Sequence, residues 1–235
     1  MVVTKLKDIY KGERCFVLGN AQSLLRHDLL KLQNEKTFVT NYFPLHPQFD
    51  DIKPTFYCMH DVWEYWEDSE LGSQTYNELT TKSLRTIKFF PNSFRKKLKE
   101  LFPSHNIYYL DTGGPPIWRI GKVKLDISAS MMIGGSIITD FCLPIAFYMG
   151  FSRIYLIGFD CDYIVEGDYQ LNHFLGPMLK ANWILGDLKS WYDNELEHML
   201  KSLEIIKNSF ESKGRQRSEE RRVGKECRSR WSPYH

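Results

Sequence analysis

Short apolar runs of strand length recur along the chain, at residues 15–18, 37–40, 55–59, 86–90, 107–110 and 153–159, each closed by polar or turn-forming residues. Between and after them lie stretches whose apolar residues repeat at helical spacing. Residues 93–102 place Phe94, Leu98, Leu101 and Phe102 on one face and Arg95, Lys96, Lys97 and Lys99 elsewhere. Residues 137–149 carry Ile138, Phe141, Ile145 and Met149 in the same way, with Pro144 inside the pattern. An interior proline costs a helix about 3 kcal/mol, so a kink, or a helix that starts near Pro144, is expected there. Strands alternating with helices predict a parallel sheet covered on both faces. Residues 15–18 and 154–157 lack polar alternation, as central strands buried on both faces should. The fold class read from this pattern is α/β, Rossmann-like, with a mostly parallel sheet and helices on both faces.

Residues 111–126 form a long stretch containing Gly and Pro, within which 117–123 read as a small hairpin or flap. Residues 160–187 are a mixed loop. Residues 188–212 then read as a helix with Trp191, Leu196, Met199, Leu200, Leu203, Ile206 and Phe210 on its apolar stripe, and Lys213-Gly214 as its stop. The last nineteen residues, 217–235, show neither apolar periodicity nor turn chemistry. They back-translate into a string resembling a sequencing adapter read in frame, and are set apart as a non-native, disordered tail. Residues 1–216 are then one domain, with 12–162 as a nucleotide-binding core and 163–216 as a loop and carboxy-terminal helix. A further strand normally follows such a helix, so the expectation is a chain truncated before its last strand.

Setting the tail apart changes the charge. The whole chain carries 31 Lys and Arg against 29 Asp and Glu, for a net charge of +2. Without the tail's six basic and three acidic residues, 25 and 26 remain and the net charge is −1. The apparent basic character disappears, and a nucleic-acid partner with it. Cys15, Cys58, Cys142 and Cys161 match no zinc or CxxC spacing and read as reduced thiols of a cytoplasmic protein. No stretch reads as a signal peptide or a membrane span.

The strongest local signal runs from Arg14 to Leu24: a buried strand, then Gly19, then the small or polar residues Asn20, Ala21, Gln22 and Ser23. A glycine at a strand end lets backbone approach a phosphate or ribose, and the amides after it can face negative charge. The spacing is neither GxGxxG nor a Walker A loop, and an ordinary strand–helix turn has the same look. Asn41 and Asp61 follow strands, and in an open parallel sheet ligands bind beyond the carboxyl ends. Gly135 and Ser136 precede a helix and offer another amide-lined turn, or a plain helix start. Asp160 and Asp162 at i and i+2 are a candidate Mg²⁺ pair, and one of them is as readily a turn cap. His173, in Asn172-His173-Phe174, is a candidate general base with a pKa near neutrality, or an inert loop histidine.

Residues 11–24 resemble the opening of the MptE-like family, named for an archaeal 6-hydroxymethylpterin diphosphokinase. Its usual loop reads G-N-G-P-S-L; this chain keeps Gly19, Asn20, Ser23 and Leu24 and has Ala21 and Gln22 between. Asn41, Asp61, the run 146–160 and Asn172-His173-Phe174 extend the resemblance over roughly residues 5–216, in a bacterial branch found with surface-polysaccharide genes. The layout is also similar to bacterial CMP-sialic acid sialyltransferases. That similarity implies nucleotide contacts at Gly19, Asn20, Ser23 and Asn41 and a base at His173. The function implied is glycosyl transfer from a CMP- or other nucleotide-activated sugar to a glycan or small-molecule acceptor, with no tightly bound cofactor. The alternatives are ATP- and Mg²⁺-dependent diphosphoryl transfer, with Asp160 and Asp162 holding the metal, and a non-catalytic nucleotide- or glycan-binding module.

Overall fold

The structure is a computed structural model that describes residues 2–60, 69–102, 106–131, 136–161, 173–175 and 188–219. Among the described residues seven parallel strands form one sheet: β1 (Arg14–Leu18), β2 (Thr37–Thr40), β3 (Phe56–Cys58), β4 (Ile87–Pro91), β5 (Ile107–Leu110), β6 (Arg153–Ile157) and β7 (Gln216–Glu219), in the order β5-β4-β3-β2-β1-β6-β7. The α/β class with a parallel sheet follows from the apolar runs, since each run is shielded on both sides. Cys15 and Val17 of β1 point into one apolar layer, and Phe16 and Leu18 into the other. The first layer holds Phe141, Ile145, Met149, Leu203, Ile206 and Phe210 from helices. The second holds Leu24, Leu29, Phe43, Leu79, Leu98 and, from the short stretch 173–175, Phe174 and Leu175.

β1 pairs with β2 on one side and with β6 on the other, Leu18 opposite Val39 and opposite Ile157. The strand order therefore reverses at β1, and the carboxyl ends of β1 and β6 form the crevice where open α/β sheets bind ligands. Pro144 lies in the first turn of the helix Leu143–Tyr148, after a wide π turn, Ile138–Cys142. The wide turn relieves the clash between the proline ring and the carbonyl four residues back.

Three expectations are corrected. Residues 117–123 do not form a hairpin: Ile117–Ile120 is a helical turn entered from Pro116 and closed by Gly121 at φ +69°. Its Trp118 ring stacks on His198 of the long helix Leu188–Glu211, with centroids 3.6 Å apart. The edge strand expected to be missing is present, because β7 pairs in parallel with β6, Ile154 opposite Arg217 and Leu156 opposite Glu219. Residues 217–219 are therefore strand and not disordered tail, whereas 220–235 lie outside the described residues. A strand ladder is made of backbone groups, so a polar edge strand needs no apolar pattern to announce it. The chain enters β7 past Gly214, at φ +68°, and Arg215. The Arg215 guanidinium donates to the Phe147 carbonyl, lies 3.9 Å over the Phe147 ring and pairs with Asp8 at 3.6 Å.

Among the described residues no helix is long and apolar enough to cross a membrane. Cys15, Cys58, Cys142 and Cys161 are free thiols, and burial pushes the Cys15 and Cys58 thiols up.

Candidate functional site

The loop after β1 continues the parallel ladder past the strand end. The Gly19 amide donates to the Ile157 carbonyl at 2.8 Å and the Ala21 amide to the Gly158 carbonyl at 3.0 Å. Two residues further on, the Ser23 amide donates to Asp160 Oδ2 at 3.3 Å, and the Ser23 hydroxyl to Asp160 Oδ1 at 2.5 Å. A side-chain carboxylate thus takes the place of the next backbone acceptor. This closeness accounts for both glycines. A Cβ on Gly19 would lie 2.1 Å from the Gly158 oxygen, and Gly158 itself sits at φ +66° with Leu24 against it. Gly19 is therefore required first by the packing of two strand ends, before any ligand is considered.

The amides of Asn20 and Gln22, which alternate with those three, enter none of the described hydrogen bonds. Gln22 opens the short 3-10 turn Gln22–Arg26 and is half-buried. The Asn20 side chain spans to β2, its Nδ2 donating to the Thr40 carbonyl and hydroxyl at 3.2 Å each. Its Oδ1 is buried with no hydrogen-bond partner among the described residues. Asn41 follows β2 in the left-handed region, φ +45°, which asparagine tolerates better than most residues. Its amide donates to the Cys58 carbonyl at 3.2 Å, and its own carbonyl accepts from the Tyr57 hydroxyl at 3.0 Å.

His173 reaches this same edge. The Phe174 amide donates to the Asn20 carbonyl at 2.8 Å, so the turn that carries His173 hangs on the β1 loop. Phe174 is buried against Phe43 and His46, with ring centroids 6.3 and 5.3 Å away. The His173 ring stands edge-on to Tyr42 at 6.1 Å. Burial lowers the His173 pKa to about 3. Its Nδ1 accepts from the Leu175 amide at 3.2 Å, which leaves the proton of the neutral ring on Nε2. The expected pKa near neutrality is therefore not found, because the turn is docked on the apolar layer. His46 beneath it is lowered to about 4 by the same burial.

Asp160 has both oxygens engaged by Ser23, and Cys161 beyond it lies at φ +56°, an uncommon backbone for a side chain with a Cβ. Asp162 lies outside the described residues, so the Asp160–Asp162 pair has no geometry here; among the described residues no group of three or more His, Cys, Asp and Glu side chains gathers as a metal site. Ser136 is occupied as a helix start, its hydroxyl accepting from the Ile138 amide at 3.1 Å and its carbonyl from the Asp140 amide at 2.9 Å. Gly135 and Asp61 also lie outside the described residues.

Gly19, Asn20, Ser23, Asn41, Asp160 and His173 are thus gathered at the carboxyl ends of β1, β2 and β6. Sequence reasoning missed Tyr42, Thr40 and Gly158 at the same edge. Each stands next to a strand end, and Gly158 precedes a Phe-Asp pair much as Gly19 precedes Asn20. It also missed the pair at the ends of β4 and β5, where the Asn92 Nδ2 donates to Asp111 Oδ1 at 2.9 Å.

No family model and no curated protein matches the chain, so the resemblance to the MptE-like family gains no support there. Among solved structures the chain is similar to the sialyltransferase CstII from Campylobacter jejuni in complex with a substrate analogue, CMP-3FNeuAc, at 13% identity and a TM-score of 0.48. It is similar also to the sialyltransferase CST-II in complex with a trisaccharide acceptor and CMP, at 13% identity and a TM-score of 0.49. Each match covers 88% of this chain and 80% of the other. These are partial likenesses of fold, and nothing about the chemistry of this chain follows from them.

Proposed function

We propose that the protein is a nucleotide-dependent transferase that holds an activated sugar at the β1–β6 switch point and passes the glycosyl group to an acceptor hydroxyl in polysaccharide synthesis. The observation that carries this reading is the bond from the Phe174 amide to the Asn20 carbonyl, 2.8 Å long. It sets the His173 turn beside the loop that carries the Asn20 and Gln22 amides, which enter no hydrogen bond among the described residues. In the reaction the bond between the anomeric carbon and the nucleotide phosphate breaks, and the acceptor oxygen forms the new bond. The nucleotide leaves with the electron pair. The acceptor proton passes to His173 Nδ1, the nitrogen without a proton, after the Leu175 amide lets it go. A base held at low pKa is neutral at every working pH, but it is a weaker proton acceptor than one matched to that pH.

One observation favours a second reading, a non-catalytic nucleotide- or glycan-binding module: His173 Nδ1 is already used within its own turn. Thermal shift and calorimetry with CMP, CDP, UDP, GDP and ATP, each with and without Mg²⁺, test the binding claim. Release of free nucleotide from an activated sugar in the presence of glycan acceptors tests transfer. Binding of a cytidine nucleotide without Mg²⁺, with turnover, is the expected result. Binding without turnover favours the module. Binding of ATP alone, strictly with Mg²⁺, replaces glycosyl by diphosphoryl transfer, and no nucleotide binding at all ends the reading.

A further inference from the structure

The geometry points to Asp160 as a positioning residue, which through Ser23 and Asn20 holds the His173 turn at the sheet edge, and not as a metal ligand or a proton donor. The inference rests on the reading that this edge is the binding site. Ser23 and Asp160 are 137 positions apart, and among the described residues their two hydrogen bonds join the loop after β1 to the loop after β6 beyond the last backbone pair. Ser23 is buried at the head of the 3-10 turn Gln22–Arg26. Fixing both its amide and its hydroxyl to one carboxylate fixes the orientation of the peptide units between Gly19 and Ser23. The Asn20 carbonyl is one of them, and it receives the Phe174 amide.

Two consequences separate this role from the others. A carboxylate that already accepts two hydrogen bonds from Ser23 presents its negative charge to the very amide on which a phosphate would otherwise rest. An anionic ligand group is therefore directed to the Asn20 and Gln22 amides, away from Ser23. The strength of the clasp depends also on the serine hydroxyl, which a metal-ligand role for Asp160 does not require. Charge-assisted hydrogen bonds of this kind are stronger than neutral ones, so losing one loosens whatever they order.

The test is amide hydrogen exchange followed by NMR on the ligand-free protein, which needs no knowledge of the substrate. Ser23→Ala removes the hydroxyl, Ser23→Thr keeps it, Asp160→Asn keeps one good acceptor, and Asp160→Ala removes both. The expected result is that Phe174 amide exchange speeds up by about tenfold or more in Ser23→Ala and Asp160→Ala. It should return towards the wild-type rate in Ser23→Thr and fall between in Asp160→Asn, with the strands of the sheet exchanging at unchanged rates. If Asp160→Ala does not fold, the two Ser23 variants decide. Unchanged Phe174 exchange in Ser23→Ala, or loss restored by Mg²⁺ only when Asp160 is intact, overturns the proposal. A CMP titration of the same samples keeps the two readings apart: failure to bind CMP with the exchange pattern as expected removes the proposed substrate and leaves the positioning role standing.

Discussion

A Cβ placed on Gly19 would fall 2.1 Å from the carbonyl oxygen of Gly158 and 3.2 Å from the Ile138 side chain. No real Cβ approaches backbone so closely, so β1 and β6 would have to part. Even Gly19→Ala is expected to cost at least about 3 kcal/mol, the upper range for overpacking a filled site. The control is Gly113→Ala, whose added carbon would meet only the Ser130 hydroxyl at an ordinary 3.6 Å and should change stability by less than about 0.5 kcal/mol. Urea unfolding of both variants checks this. A Gly19 variant of wild-type stability would mean that the loop is not bound to β6 as described.

Lys88 gives a second prediction. It is almost fully buried in β4, its Nζ donates to the Ser83 and Thr86 carbonyls at 2.7 and 3.1 Å, and burial lowers its pKa to about 8. The free lysine value is higher, so between about pH 8 and pH 10 the unfolded chain holds the proton that the folded chain gives up. Stability from this group therefore rises with pH across that window and is lower, and flat, below it. Lys88→Met should remove the rise. An identical pH–stability profile for the variant would show that Lys88 does not titrate as its surroundings require.

How much of this was legible in the sequence depends on what kind of contact is involved. Strands such as β1 and β3 announce themselves because burial on both faces leaves an unbroken apolar run, Cys15 to Leu18 and Phe56 to Cys58. Gly19 and Asp160 were legible as residues that close such runs, but the switch point was not, because no local pattern reports that β6 pairs with β1. The helix Glu70–Thr81 was not legible either, because only Leu79 among its large apolar residues is fully buried, beside Gly72 and Thr75. Its start is written instead in Ser69, whose hydroxyl accepts from the Gly72 amide at 2.9 Å. The Ser23–Asp160 clasp was out of reach, because no local pattern reports a hydrogen bond between loops 137 positions apart. The same is true of the His173 pKa, which is set by the apolar layer that Phe174 and Leu175 join.

Two truncations examine the carboxyl end. Gln216–Glu219 pairs with β6 along its length, Arg153 opposite Gln216 to Leu156 opposite Glu219. Stopping the chain after residue 215 should lower the melting temperature, since β6 loses its outer neighbour. Stopping after residue 219 should leave it unchanged, as expected of a segment with neither apolar pattern nor turn chemistry. Equal melting temperatures for all three chains would show that β7 adds nothing to the sheet, and a loss on removing 220–235 would show that this segment is not dispensable.

His173 carries the mechanism, and its neighbours allow a clean separation of roles. Its ring serves its own turn, Nδ1 accepting from the Leu175 amide at 3.2 Å, and it is proposed to serve the acceptor as a base. His173→Ala removes both functions at once. His173→Asn supplies an amide oxygen that can take the Leu175 N–H in the manner of an Asx turn, but it cannot accept a proton at working pH. If His173 is the base, both variants should lose turnover by about a hundredfold or more while nucleotide affinity stays near wild type. If it only builds the turn, His173→Asn should retain most of its turnover. The pH dependence adds an independent check. With the pKa held down to about 3 by burial, the ring is neutral from about pH 4 upward, so its protonation cannot produce a fall in rate near pH 6. An acidic limb near pH 6 that disappears in His173→Asn would show that the ring is open to solvent in the working enzyme, and that the docked turn described here is a resting arrangement.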